Sequence, residues 1–125
     1  MNYLLDTHTL LWWLNNDLKL SREAREIISN PENKIFVSAV SAWEISIKKA
    51  TGKLSAPDNL AEAISVNCFE PLLISIEHGL KAGSLPNYHN DPFDRMLIAQ
   101  AMSENLIIIS RDAQFSQYGV NVISA

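Results

Sequence analysis

The sequence has a single cysteine, Cys68, in 125 residues. That excludes an internal disulfide and a cysteine metal cluster. Set between Asn67 and Phe69, Cys68 is expected to be a small buried apolar side chain, and a disulfide-free chain suits a reducing cytoplasm. Positive charge is scarce too. Ten Lys and Arg against fourteen Asp and Glu leave a net charge of −4 and a pI near 5.2. Nucleic-acid binding by bulk basic charge is thereby excluded, although a local basic rim around an acidic site is not. No apolar run approaches the roughly 18 residues of a membrane helix. Met1-Asn2-Tyr3-Leu4-Leu5-Asp6 lacks the basic start and unbroken apolar stretch of a signal peptide. Four glycines and five prolines are too few for a collagen-like or low-complexity chain. The remaining expectation is one cytoplasmic globular domain over residues 1–125, large enough for a real core.

Short apolar runs alternate with helical patterns along the whole chain. Tyr3–Leu5, Ile35–Val37, Glu70–Ile74, Leu106–Ile109 and Val120–Ile123 predict strands, the third weakened by Pro71 and so near an edge. Helices are predicted over 7–14, 22–29 with Ser21 as N-cap, 41–50 stopped by Gly52, 59–66, 75–82 and 91–104. Trp43, Ile47 and Ala50 form the expected apolar stripe of the 41–50 helix. A loop is expected over 83–90 and a short helical turn over 113–117. Unbroken rather than alternating strands, separated by helices, indicate a mostly parallel sheet of about five strands covered on both faces, an α/β/α sandwich. In such folds the working site lies at the carboxyl ends of the strands.

Four acids fall at that edge. Asp6 follows the first strand and Asp112 follows Leu106–Ile109, while Glu44 and Asp94 lie early in helices. Each has an ordinary structural reading: Asp6 as a helix N-cap, Glu44 as an i,i+4 partner of Lys48, Asp112 as a turn residue. In Asp91-Pro92-Phe93-Asp94, Asp91 suits N-cap, Pro92 the first helical position and Asp94 the third. Carboxylates converging in a partly dry pocket repel one another, and they persist as anions only beside a cation. Oxygen ligands without a His or Cys set point to a hard ion, Mg²⁺ or Mn²⁺.

Four segments carry a resemblance: Leu4-Leu5-Asp6-Thr7-His8, Ser41-Ala42-Trp43-Glu44-Ile45, Asp91-Pro92-Phe93-Asp94-Arg95-Met96-Leu97-Ile98-Ala99-Gln100-Ala101, and Ile109-Ser110-Arg111-Asp112. In this order they closely resemble the PIN-domain nucleases, in particular the VapC-type toxins of bacterial toxin–antitoxin pairs, over the whole chain. The resemblance implies a PIN-like sandwich and a Mg²⁺-dependent endoribonuclease. It also implies that a small antitoxin holds the enzyme inactive, with the toxin usually dimeric or in larger complexes. The family's acids fall on Asp6, Glu44, Asp94 and Asp112. Ser110 keeps the hydroxyl of the Thr common at that position, and Asp91 matches a less central acid.

RNA cleavage builds negative charge on the phosphate and the leaving oxygen, which one or two carboxylate-held Mg²⁺ ions offset. Asp6 and Asp94 are the expected direct ligands. Glu44 and Asp112 would hold a second ion, act through water or orient the nucleophile, and Ser110 would steady a water. Arg95 and Arg111 neighbour site acids and are candidates for either ion pairing or phosphate contact. Lys48, with Lys49 and Lys53, is a solvated helix face that would serve as an RNA rim. His8 is expected to pack locally, and His78 and His89 to face solvent. Of the adjacent Trp12 and Trp13, one is expected inside and the other exposed as a surface for the antitoxin or a second copy.

A different class, a Mg²⁺-binding receiver-like signalling module, shares the length and the acidic pocket. It would need paired acids after the first strand and a Lys after a late one. Here Asp6 stands alone and no Lys follows Leu106–Ile109. A PIN-like module acting only through protein contacts would not need the complete acid set.

Overall fold

The computed structural model describes residues 1–125. Strands β1 (Asn2–Leu5), β2 (Lys34–Ser38), β3 (Glu70–Leu72), β4 (Ile107–Ser110) and β5 (Val122–Ser124) form one sheet in the order β3-β2-β1-β4-β5. Every pairing is parallel, with Leu5 opposite Val37 on one side and Ile109 on the other. Six α-helices connect and cover the strands: α1 (Thr7–Leu14), α2 (Arg22–Ser29), α3 (Ala39–Ala50), α4 (Leu60–Val66), α5 (Ile76–Ser84) and α6 (Pro92–Glu104), with a 3-10 turn at Ala113–Tyr118. This is the α/β/α arrangement expected from the alternation of apolar runs and helices.

The unbroken strands read as they do because both sheet faces are buried. Leu5, Val37 and Ile109 pack with Leu10 and Leu11 of α1 and Ala24 and Ile28 of α2. Leu4 and Ile108 point the other way, onto Leu97, Ile98 and Ala101 of α6 and onto Phe115. Burying each such side chain contributes about 1.5–3 kcal/mol. Successive strand positions therefore anchor opposite layers. The strand order turns back between β1 and β4, which opens a crevice at the ends of those two strands.

Several expectations shift. β3 covers three residues instead of five: it is paired on one side only, and Pro71 has no N–H to extend the ladder. β4 and β5 each begin and end slightly later than expected, and α5 runs through Gly83 to Ser84. Helix α3 begins at Ala39, because the Ser38 hydroxyl accepts the Val40 N–H at 3.0 Å. Its buried face is Val40, Ser41, Glu44 and Ile45, while Trp43 is 59% exposed and Ile47 40%. The stripe read from Trp43, Ile47 and Ala50 is thus the outer face: the helix turns a polar face inward, where Thr7 meets Ser41 and Glu44.

Cys68 is exposed, not buried. It sits just past α4 with φ 59°, a left-handed position that turns its side chain out before Phe69 enters the core. His78 is buried rather than solvent-facing, because its ring caps α5: Nδ1 accepts the Ser75 N–H at 3.0 Å and Nε2 lies 3.2 Å from Glu104. Trp12 and Trp13 are both half-buried, rather than one inside and one exposed. Trp13 donates to Asn67 at 3.0 Å, and Trp12 lies under the Arg111 guanidinium, 4.6 Å from ring centre to Cζ.

Candidate active site

Asp6 leaves β1 and caps α1. Its Oδ1 accepts the Thr9 N–H at 2.8 Å, and Oδ2 accepts the Ser110 hydroxyl at 2.5 Å. The capping reading and the site reading therefore meet in one residue. Burial pushes the Asp6 carboxyl above the usual carboxylate range, and the bonds from Ser110 and Thr9 pull it partly back. The Ser110 hydroxyl also accepts the Asp112 N–H at 3.0 Å. It thus links two acids.

Glu44 reaches the same edge from α3. Its Oε1 accepts the Thr7 hydroxyl at 2.6 Å, and its Oε2 pairs with Lys48. The i,i+4 ion pair expected on the surface exists, but the Glu44 side chain is only 4% exposed. That pair holds the Lys48 ammonium above its ordinary pKa.

Asp94 stands in the first turn of α6, as the capping pattern predicts. Asp91 at N-cap accepts the Phe93 N–H at 2.8 Å and the Asp94 N–H at 3.4 Å, with Pro92 at the first helical position. The Asp94 carboxyl is pushed up to about 7, first by burial, then by the charge of Asp91; Asp6 and Glu44 add to this and His89 opposes it. Asp112 closes the group from the end of β4. Its Oδ1 caps the 3-10 turn through the Gln114 N–H at 2.9 Å.

His89, expected to face solvent, belongs with this group of acids instead: its Nε2 lies 3.0 Å from Asp112 Oδ2 and 3.0 Å from Asp94 Oδ2, and the side chain is 10% exposed. The only hint was its position two residues before Asp91, within a loop that has no periodicity to orient a side chain. Its placement comes from distant residues. The Tyr118 hydroxyl accepts the N–H groups of Tyr88 at 3.1 Å and His89 at 2.8 Å and donates to the Pro86 carbonyl at 2.7 Å.

Arg95, a candidate for ion pairing or phosphate contact, is engaged by backbone carbonyls. Its guanidinium donates to the carbonyls of Ala82, Leu85, Pro86 and His89 at 2.8–3.2 Å, tying the loop after α5 to α6. Arg111 donates to the carbonyls of Lys19 and Ala125 while lying over Trp12. Those two residues, with Lys19, His8, Asp6 and Asp112, line an open groove of about 310 Å³ beside the acids.

The donor set suits a divalent cation. Burial first, and then the charges of neighbouring carboxylates, disfavour the Asp94 anion, a cost that a bound cation would offset. Their oxygens match a hard ion such as Mg²⁺ or Mn²⁺.

The chain is similar to known proteins in sequence and in fold. The PIN domain family model matches residues 3–121. The chain is 26% identical over 123 residues to Ribonuclease VapC22 of Mycobacterium tuberculosis, covering 92% of this chain and 90% of that protein. Among solved structures, DNA-bound VapBC from Salmonella typhimurium superposes with a TM-score of 0.72 at 20% identity, covering 98% of this chain and 97% of that one. VapBC2 from Rickettsia felis, bound to a promoter DNA fragment, gives 0.68 at 15% identity, with 98% of each chain covered. At these identities the structural likeness speaks for the fold, and the family match spans nearly the whole sequence. The chain belongs to the PIN-domain family.

Proposed function

We propose that this chain is a Mg²⁺- or Mn²⁺-dependent endoribonuclease acting as the toxin of a toxin–antitoxin pair. The observation that carries the reading is the crowding of Asp6, Glu44 and Asp91 around Asp94, beside Asp112, at the crevice between β1 and β4. Asp6 and Asp94 are the residues that would hold the ion, with Glu44 and Asp112 completing the set. When bound, the ion supplies charge neutralisation on the phosphodiester and lowers the pKa of the attacking water. Ser110 keeps Asp6 and Asp112 in register, and Asp91 sets the start of α6 so that Asp94 faces the crevice.

The groove walled by Trp12, Lys19 and Arg111 is the path we assign to the RNA strand. It offers an aromatic surface and two cations next to the acids and offsets the negative total charge. Lys48, held by Glu44, adds positive charge on the other side of the acids.

The named relative is a ribonuclease, and the solved neighbours are VapBC complexes. We extend both to this chain, with an RNA substrate and a cognate small antitoxin, and add the homodimer that the family resemblance implies. Trp43 and Ile74, exposed along one apolar groove, give area for a protein partner. No helix is long and apolar enough to cross a membrane, and the reading sets the action in the cytoplasm.

The test is incubation of the purified chain with total cellular RNA, with and without Mg²⁺, followed by mapping of the ends. Discrete cleavage that needs Mg²⁺ and is lost in Asp94→Asn is expected. Intact RNA under all conditions would instead favour a module acting through protein contacts alone.

A further inference from the structure

The three groups His89, Asp94 and Asp112 present one ligand atom each within 4.8 Å of one another, which at first sight is a mixed nitrogen and oxygen metal site. The hydrogen bonding of the imidazole argues otherwise. The Asp91 N–H donates to His89 Nδ1 at 3.2 Å. A nitrogen that accepts a hydrogen bond carries no proton, so in this ring the proton sits on Nε2. Nε2–H then faces the two carboxylates as a donor and has no lone pair to offer an ion. The hydrogen bond runs to Asp112 Oδ2, with Asp94 Oδ2 at the same 3.0 Å beside it.

The ring has little freedom to turn over. Its backbone N–H is held by Tyr118 and its carbonyl by Arg95, and Phe115 packs edge-on against the imidazole at 6.0 Å. Rotation of the ring would leave the Asp91 N–H without its acceptor. Meanwhile no protein donor reaches Asp94 Oδ1, and the Asp94 carboxyl is mostly buried. One oxygen of that carboxylate lies 3.0 Å from the imidazole Nε2 and the other is left available.

We propose that His89 is a positioning residue of the carboxylate site, an Nε2–H donor that holds Asp94 and Asp112 at a fixed spacing for the ion and is not itself a ligand. This rests on the reading of the acids as a divalent-metal site. Groups that orient metal-binding carboxylates typically change metal affinity by 10–100-fold when removed. The Tyr118 hydroxyl and the Arg95 guanidinium then act on the site at one further remove, by fixing the loop that carries His89.

Two measurements test the proposal. Long-range ¹H–¹⁵N spectra of the ¹⁵N-labelled protein report the tautomer directly, first in EDTA and then with saturating Mg²⁺. The Nε2–H form is expected in both. A proton moved to Nδ1 on adding Mg²⁺ would make Nε2 a ligand and overturn the proposal, while leaving the metal-site reading intact. Shifts at the Asp94 and Asp112 amides report whether Mg²⁺ binds at all. If they do not move, both the proposal and the metal-site reading fall. Mn²⁺ affinity, read from the free-ion electron paramagnetic resonance signal, gives the second readout. His89→Ala, shown to be folded by its melt in EDTA, is expected to bind about 10–100-fold more weakly than wild type. His89→Gln keeps an N–H near the Nε2 position and should recover most of that loss. Wild-type affinity in His89→Ala would contradict the proposal, and the tautomer measurement stands even if that variant fails to fold.

Discussion

The Ser110 hydroxyl donates to the Asp6 carboxylate at 2.5 Å across 104 residues of sequence. The same oxygen accepts the Asp112 N–H, so one small side chain at the end of β4 organises two acids. A hydrogen bond to a charged group contributes roughly 1.5–3 kcal/mol. Ser110→Ala should therefore lose about that much stability in denaturant titrations. The loss should be larger at high pH, where Asp6 is ionised, than at low pH, because burial raises the Asp6 carboxyl and it is the ionised form that the hydroxyl supports. Ser110→Thr keeps the donor and should retain most of the stability.

The pH dependence of the metal-free protein follows from Asp94 and Asp6, both raised by burial. A carboxyl whose folded pKa lies above its unfolded value binds more protons in the native state between those two values. Stability then rises as pH falls from above 7 toward about 4, the window set by the shift of Asp94 from 3.8 to about 7. Melts in EDTA should show the midpoint climbing from pH 8 to pH 6. Saturating Mg²⁺ should raise the pH 8 midpoint and flatten the climb, since an ion on the folded state stabilises the anions. A midpoint independent of pH in EDTA would contradict the crowding of these acids.

Asp91 and Asp94 should separate in a paired experiment. Asp91→Ala removes an N-cap and should cost about 0.5–2 kcal/mol, while keeping much of the RNA cleavage at low temperature. Part of that cost is offset because Asp91 is a like charge beside Asp94. Asp94→Asn should leave the metal-free protein at least as stable and lower cleavage by orders of magnitude. Melts and cleavage rates on both variants check this; an inactive, stable Asp91→Ala with an active Asp94→Asn would reverse the two roles.

Arg95 should behave as a structural residue. Arg95→Lys keeps the charge but not the planar fork that serves four carbonyls. It should lower stability by about 2 kcal/mol or more and leave RNA affinity, measured in a cleavage-dead Asp94→Asn background, within a few-fold. A large loss of RNA affinity with an unchanged melt would restore the phosphate-contact reading.

Much of the fold was legible because its signals are local. Leu106-Ile107-Ile108-Ile109 could hardly be anything but a buried strand, and Asp91-Pro92-Phe93-Asp94 spells out a helix start that α6 obeys. The acids could be gathered at one edge because a parallel sheet puts every strand end there. What could not be read depends on distant partners. Helix α3 presents Glu44 inward because Thr7, 37 residues away, meets it there, so apolar periodicity named the wrong face. His89 is set by Tyr118 and by Arg95, in a stretch with no periodicity of its own. Arg95 looks like any basic residue beside an acid until its four carbonyl partners are seen.

The central claim is that carboxylates from β1, α3, α6 and the end of β4 make one divalent-metal site. Anomalous scattering from crystals grown with Mn²⁺ tests it most directly. An anomalous peak is expected in contact with a carboxylate oxygen of Asp94 and of at least one of Asp6, Glu44 and Asp112, absent in Asp94→Asn. A well-diffracting Mn²⁺-saturated crystal with no peak at these carboxylates, or with the same peak in Asp94→Asn, would contradict it.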